Sequence, residues 1–299
     1  MSDDGATANA PLLSAEFLAR LAALEVAVRK ALPSTMRGDR RASRKGTSLE
    51  FADYRAYAPG DDVRHLDWAS YARLDQLVVK LYHDEEDVRL HLVVDDSASM
   101  RFGAPSKADF ARRVAAALGW IGLSHQQRVG VTLLGAEERS VPLVSGRPSF
   151  PRLLERLAEE APPSRRPLHE ACRAWMDRAR PRGSIVLISD LLDPAGPLEV
   201  LRAFLRPTTE GTVCQVLARE EVDPALEGDL RLIDAESGDV VEVNATDEVL
   251  AAYRERAGRF LAHCRETARR RGVAYGSAVT DEGLEEFLLR SLVGAGVLR

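Results

Sequence analysis

The 299-residue chain carries 41 Lys and Arg against 46 Asp and Glu, a formal charge of -5, and 45% of its residues are hydrophobic. That composition supplies the core of one large domain, or of a medium domain with an appendage. The slightly acidic balance argues against wholesale binding of nucleic acid or of an anionic membrane. No stretch approaches the roughly 18 consecutive apolar residues of a membrane span, and the start MSDDGATANAP has no basic segment followed by an apolar one. The chain therefore reads as cytoplasmic. Its three cysteines, Cys172, Cys214 and Cys264, are odd in number and lie inside apolar patterns, which fits small buried thiols in a reducing compartment rather than disulfides.

Residues 1–11 are small and polar and read as a disordered tail. From Ser14 to Leu32, Phe17, Leu18, Leu21, Leu24, Val28 and Leu32 fall on one helical face. A basic linker follows, without the interleaved aromatics of a nucleic-acid patch. Residues 48–88 read as short strands and turns, with Pro59-Gly60-Asp61-Asp62 as the strongest turn and Leu77 to Tyr82 as a strand. From residue 90 onward strands at about 90–95, 129–134, 184–189, 212–217 and 273–279 alternate with helices near 107–124, 149–160, 168–180, 197–205, 246–271 and 283–293. That alternation means right-handed crossovers and a mostly parallel sheet with helices on both faces. Ser140 to Ser145 adds an antiparallel edge strand, and Asp229 to Val243 forms a hairpin turning at 236–239. The long helix after Thr246 carries the apolar stripe Val249, Leu250, Tyr253, Ala257, Phe260, Leu261, Cys264 and Ala268, expected to face the sheet. The resulting division is a tail over 1–11, a helix and small β lobe over 12–88, and an α/β domain over 89–299.

The first strand of that domain, LHLVVDDSASM, ends in Asp95-x-Ser97-x-Ser99. Ligands of open parallel sheets bind beyond the carboxyl ends of the strands. Alternating positions let one carboxylate and two hydroxyls converge on a hard cation, leaving further coordination positions vacant. A polar turn that only caps the next helix is a second reading. A nucleophile at Asp95 or Asp96, in a metal-dependent hydrolase or phosphotransferase, is a third. It lacks G-x-S-x-G, and an aspartyl phosphotransferase would want a second Asp where Ser97 stands. No histidine is placed at a neighbouring strand end to act as general base, and HEACR at His169 lacks the second His of a zinc motif. The strand SIVLISDLLD again ends in acid, at Asp190 and Asp193.

Two strands delivering carboxylates to one edge resemble the von Willebrand factor A fold and its metal-ion-dependent adhesion site. The resemblance covers about residues 90–295. It implies that Asp95, Ser97 and Ser99 hold Mg²⁺ or Mn²⁺ directly, that Asp190 acts through water, and that an acidic residue of a partner fills the vacant position. The family's Thr has no counterpart here. Arg166 of RPLHEAC stands at its place, with Ser164 as an alternative after a two-residue slip. A guanidinium there would neutralise Asp95, so the cation is expected to bind weakly or not at all.

The preceding segment, GTSLEFADYRAYAPGDDVRHLDWASYARLDQLVVKLYHDEED, is similar to the signature of the domain-of-unknown-function 58 proteins, which continue directly into an A-type fold. That resemblance implies a bacterial, non-enzymatic adaptor or chaperone component acting with a MoxR-type AAA+ ATPase. The segment's own chemistry fits docking, on a partner or within the chain. Arg55, Asp61, Asp62, Arg64, Asp67 and Arg73 alternate with aromatics that include Trp68, giving paired charges with aromatic anchors.

Overall fold

The computed structural model describes residues 51–58, 66–74, 76–82 and 88–294, together with Glu16, Ala19, Arg20 and Ala22, which are helical. The chain forms two compact units, one within residues 33–87 and one built from 88–299 with the N-terminal segment. Arg20 of that segment makes a two-pronged ion pair with Glu285, at 2.6 and 2.8 Å.

In the smaller unit β1 (Phe51–Ala56) pairs antiparallel with β2 (Val78–Tyr82), and buried Leu66 bridges to Val79. Between them lies a helix the sequence reading did not anticipate, α1 (Trp68–Leu74). Its start is set by Asp67. This buried carboxylate accepts from the backbone N–H groups of Ala69 and Ser70 and from the Ser70 hydroxyl, at 3.0–3.4 Å, the bonds that satisfy a helix's first free donors. Asp67 is therefore a helix cap, not a freely exposed docking charge. Of the other proposed docking residues, Trp68 is 60% exposed and Arg73 reaches back to the Ala69 carbonyl of its own helix. Arg55 lies on β1, and Asp61, Asp62 and Arg64 fall outside the described residues.

The larger unit has the expected α/β architecture. Its sheet runs β10-β7-β6-β3-β4-β5, with β3 (Arg89–Asp95), β4 (Arg128–Leu134), β6 (Gly183–Ser189), β7 (Thr209–Leu217) and β10 (Ala274–Val279) parallel. β5 (Glu138–Val144) is the antiparallel edge. These strands read as near-continuous Val, Ile and Leu because helices cover both faces. On one face α2 (Lys107–Ser124), α3 (Phe150–Ala158) and α8 (Leu284–Gly294) pack into a core containing Leu92, Val114, Ile121, Leu153 and Phe287. On the other, α4 (Leu168–Ala179), α5 (Pro197–Phe204) and the end of α7 (Asp247–Arg270) bury Trp175, Met176, Phe204, Cys264 and Ala268. Each fully buried Leu, Val or Phe contributes about 1.5–3 kcal/mol. All three cysteines are free and buried.

α7 departs from its expected stripe. Cys264 and Ala268 face the core, but Val249 and Tyr253 are each 41% exposed. A 24-residue helix is about 36 Å long and outruns the face it covers. Its first half projects beside the hairpin β8 (Gly228–Ile233) and β9 (Val240–Ala245), whose turn falls where expected. Glycine is required at the start of β6. Gly183 has φ +94°, and a Cβ there would stand 2.7 Å from the Arg89 carbonyl oxygen.

What this topology does for function is local. The chain leaves β3 toward β4 on one side, while β6 lies on the other, so the carboxyl ends of β3 and β6 flank the point where strand order reverses. Asp95 and Asp190 follow those two ends.

Candidate functional site

Asp95 closes β3 and is 2% exposed. One of its carboxylate oxygens accepts from Ser97 N at 3.0 Å and the other from the Ser189 hydroxyl at 2.7 Å. Ser189 is the last residue of β6. The Ser97 and Ser99 hydroxyls lie 3.1 Å apart. The Ser164 loop runs alongside this turn as an isolated parallel bridge, with Ala98 N donating to Ser164 O at 2.9 Å and Ser164 N to Asp96 O at 3.0 Å. The fold thus brings Asp95, Ser97, Ser99, Ser164 and Asp190 to one edge.

Arg166 does not join them. Its backbone N–H donates to the Ser164 hydroxyl, and its half-exposed guanidinium pairs with Glu170 at 3.4 Å along α4. The i,i+4 spacing of Arg166 and Glu170 directs the side chain along the helix rather than across the turn. The buried cation is Lys107, which is 0% exposed and donates to Asp190 at 2.6 Å and to Glu221. Glu221 arrives on the short α6 (Arg219–Val222), where its second oxygen accepts from Ala218 N at 2.9 Å. Sequence reading missed this trio. Its one visible signal was a lysine in the first turn of α2, against the helix dipole.

Electrostatics divide the site in two. Burial would lower the Lys107 amine, but Asp190 and Glu221 outweigh burial and hold it above its ordinary value. Burial, with Asp190 adding to it, holds the Glu221 carboxyl above its ordinary value despite the Lys107 amine. Among the described residues Asp95 has no such cation. Burial, then the neighbouring Asp190, push its carboxyl up from 3.8 to about 7, against the hydrogen bonds from Ser189 and Ser97.

Asp96 faces the opposite way and is wholly buried. It receives Arg101 at 2.8 Å, Arg112 at 3.0 Å and Arg139 at 2.6 Å. Three guanidinium groups tie the end of β3 to α2 and to β5, so this aspartate is a structural hub rather than a free nucleophile. A histidine does stand near the edge, on α4 rather than at a strand end. His169 Nδ1 bonds Asp193 Oδ1 at 2.9 Å while His169 N donates to Asp193 Oδ2 at 2.9 Å, so Asp193 caps α4. Among the described residues His169 makes no hydrogen bond to Ser97, Ser99 or Asp95.

The divalent cation that the resemblance to an A-type fold implies would need hard oxygen donors. Among the described residues no three acidic, His or Cys side chains gather as a metal cluster, so such oxygens come from one carboxylate and hydroxyls on the Asp95 side. A buried carboxylate without a cationic partner among those residues lies beside two convergent hydroxyls. Glu236 of the hairpin turn adds an oxygen, Oε2, that is buried and has no hydrogen-bond partner among them. Asp190 is already neutralised by Lys107. A separate cavity of about 670 Å³, lined by Leu217, Leu261, Val273, Tyr275 and Arg265 among others, lies along β10 and α7 and contains none of these groups.

A doubly wound α/β domain with a polar strand-end cluster and a small β lobe defines the class. Residues 53–262 match the family described as protein of unknown function DUF58, and the chain belongs to that family. It is 33% identical over 272 residues to the uncharacterized protein Rv1480 of Mycobacterium tuberculosis and, to the same extent, to Mb1516 of Mycobacterium bovis, covering 89% of this chain and 86% of each relative. Among solved structures, the conserved hypothetical protein BatB of Bacteroides thetaiotaomicron is 18% identical, with a TM-score of 0.41. An aerotolerance-related membrane protein of Bacteroides fragilis is 15% identical, with a TM-score of 0.43. Both alignments cover 70% of this chain and 98% of the other. No helix among the described residues is long and apolar enough to cross a membrane.

Proposed function

We propose that this protein is a non-enzymatic interaction module whose turn Asp95-x-Ser97-x-Ser99, with Ser164 beside it, offers a divalent cation such as Mg²⁺ or Mn²⁺ to an acidic side chain of a partner protein. The carrying observation is the convergence of Ser97 Oγ and Ser99 Oγ, 3.1 Å apart, next to a buried carboxylate that no cationic side chain among the described residues neutralises. When bound, the cation supplies an electrophilic point that a carboxylate can ligate. Asp95 and the two hydroxyls would hold it, and the Ser189 hydroxyl keeps Asp95 oriented. Asp190, held by Lys107, acts as a positioning group. The ligand position of the family's Thr, where the sequence match sets Arg166, would be filled by Ser164.

The partner favoured by the family resemblance is a MoxR-type AAA+ ATPase, met in the cytoplasm. A hydrolase or phosphotransferase using Asp95 or Asp96 has less support, since Asp96 is saturated by arginines and His169 is committed to Asp193. Affinity purification of the full chain from its own cell, with and without Mg²⁺, tests the reading. Recovery of the ATPase by wild type and its loss in Asp95→Ala is the expected result. Equal recovery by both proteins would remove the site from the interaction, and recovery of no ATPase would remove the partner.

A further inference from the structure

The hairpin β8–β9 is mostly exposed, with Leu232, Ile233, Val240 and Val241 all 45% exposed or more. Packing of its strands does little to fix it, yet its turn is well made. Asp234 Oδ1 accepts from Glu236 N at 2.9 Å and from Ser237 N at 2.7 Å, an arrangement that sets the turn's backbone and presents Glu236. From there Glu236 reaches a segment 137 positions away, where its Oε1 accepts from Ser99 N at 2.9 Å.

The second oxygen is the informative one. Glu236 Oε2 is buried and bonds nothing among the described residues, and a carboxyl oxygen withdrawn from water without a donor or a cation is costly. The surrounding charges point the same way. Among the described residues Lys107 pairs with Asp190 and Glu221, while Asp95 and Glu236 have no cationic partner. The imbalance is negative, on the Asp95 side.

We infer that Glu236 is an internal ligand of the cation site: the position that a partner's acidic side chain would take is held by the chain's own hairpin tip. The inference rests on the cation reading above and adds a competition to it. The site is closed from within, and a partner's carboxylate gains access by displacing Glu236. The exposed hairpin strands make that displacement inexpensive, since few apolar contacts are lost when the tip leaves.

Titration of the full chain with Mn²⁺ alone, followed by calorimetry and by the electron paramagnetic resonance of free Mn²⁺, tests this in wild type, Glu236→Gln and Asp95→Ala. Gln keeps an oxygen for Ser99 N and removes the charge. Glu236→Gln is expected to bind Mn²⁺ about ten- to a hundredfold more weakly, and Asp95→Ala to lose binding. Hydrogen exchange over residues 229–243 should slow on Mn²⁺ addition in wild type and not in Glu236→Gln. Equal affinity and equal exchange in those two proteins would overturn the internal ligand while leaving the cation site standing. Absence of Mn²⁺ binding by wild type at millimolar concentration would overturn both.

Discussion

Replacing Lys107 by Met keeps the length of the side chain and removes the one amine that joins Asp190 to Glu221. Asp190's side chain is 2% exposed and Glu221's 16%, so water can compensate Glu221 in part and Asp190 hardly at all. Removing one partner of a buried ion pair costs about 3–5 kcal/mol. For a domain of this size, where each kcal/mol moves the midpoint by about 2–4 °C, the loss in Tm is roughly 6–20 °C. Urea unfolding followed by far-ultraviolet circular dichroism, extrapolated to water, measures it directly. Burial already raises the Glu221 carboxyl in the folded protein, so its protonation should narrow the deficit as the pH falls. Adding Asp190→Asn and Glu221→Gln to Lys107→Met should return most of the stability, because neutral groups in the same space demand no counter-charge. A loss below about 1 kcal/mol in the single variant, in the range of exposed pairs, would refute the burial argument and free Asp190 to serve as a cation ligand.

Asp96→Asn strands Arg101, Arg112 and Arg139 together and should cost about 3–5 kcal/mol in the same assay, whereas Arg219→Ala, at the half-exposed Arg219–Asp281 pair, should cost under about 1. Arg166→Thr should leave Mn²⁺ affinity within about twofold, since a screened surface charge contributes little, while Ser164→Ala should weaken it; a gain of tenfold or more in Arg166→Thr would show that the guanidinium swings over Asp95. Asp95, raised from 3.8 to about 7 in the folded protein, holds its proton more tightly folded than unfolded. Its contribution to stability is therefore full below about pH 4 and is lost as the pH rises through about 7, with a slope of up to about 1.4 kcal/mol per pH unit. Midpoints of the metal-free protein between pH 5 and 8 should show this dependence in wild type and a flatter one in Asp95→Asn, and equal slopes would contradict it.

The α/β architecture was legible because it is written in short-range periodicity. Near-continuous apolar runs, helical stripes and turn residues each involve neighbours a few positions apart, and α2 runs from Lys107 to Ser124 as its pattern requires. The strand-end location of Asp95, Ser97, Ser99 and Asp190 followed from the same pattern. α1 does not show in the pattern of residues 48–88, which reads as short strands and turns, although its cap, Asp67, is visible there.

Which charge meets which was decided by tertiary structure alone. Lys107, Asp190 and Glu221 lie on three elements separated by 83 and 114 positions, and Glu236 reaches Ser99 from a hairpin that local pattern places but does not aim. The resemblance sets a cation at Arg166, which stands just before α4 and pairs with Glu170. Helix α2 instead supplies Lys107, from the opposite face of the sheet. Ionic partners carry no periodicity, since a carboxylate accepts any cation the fold delivers. Their pairing exists only once strand order, helix entry and hairpin reach have set the distances.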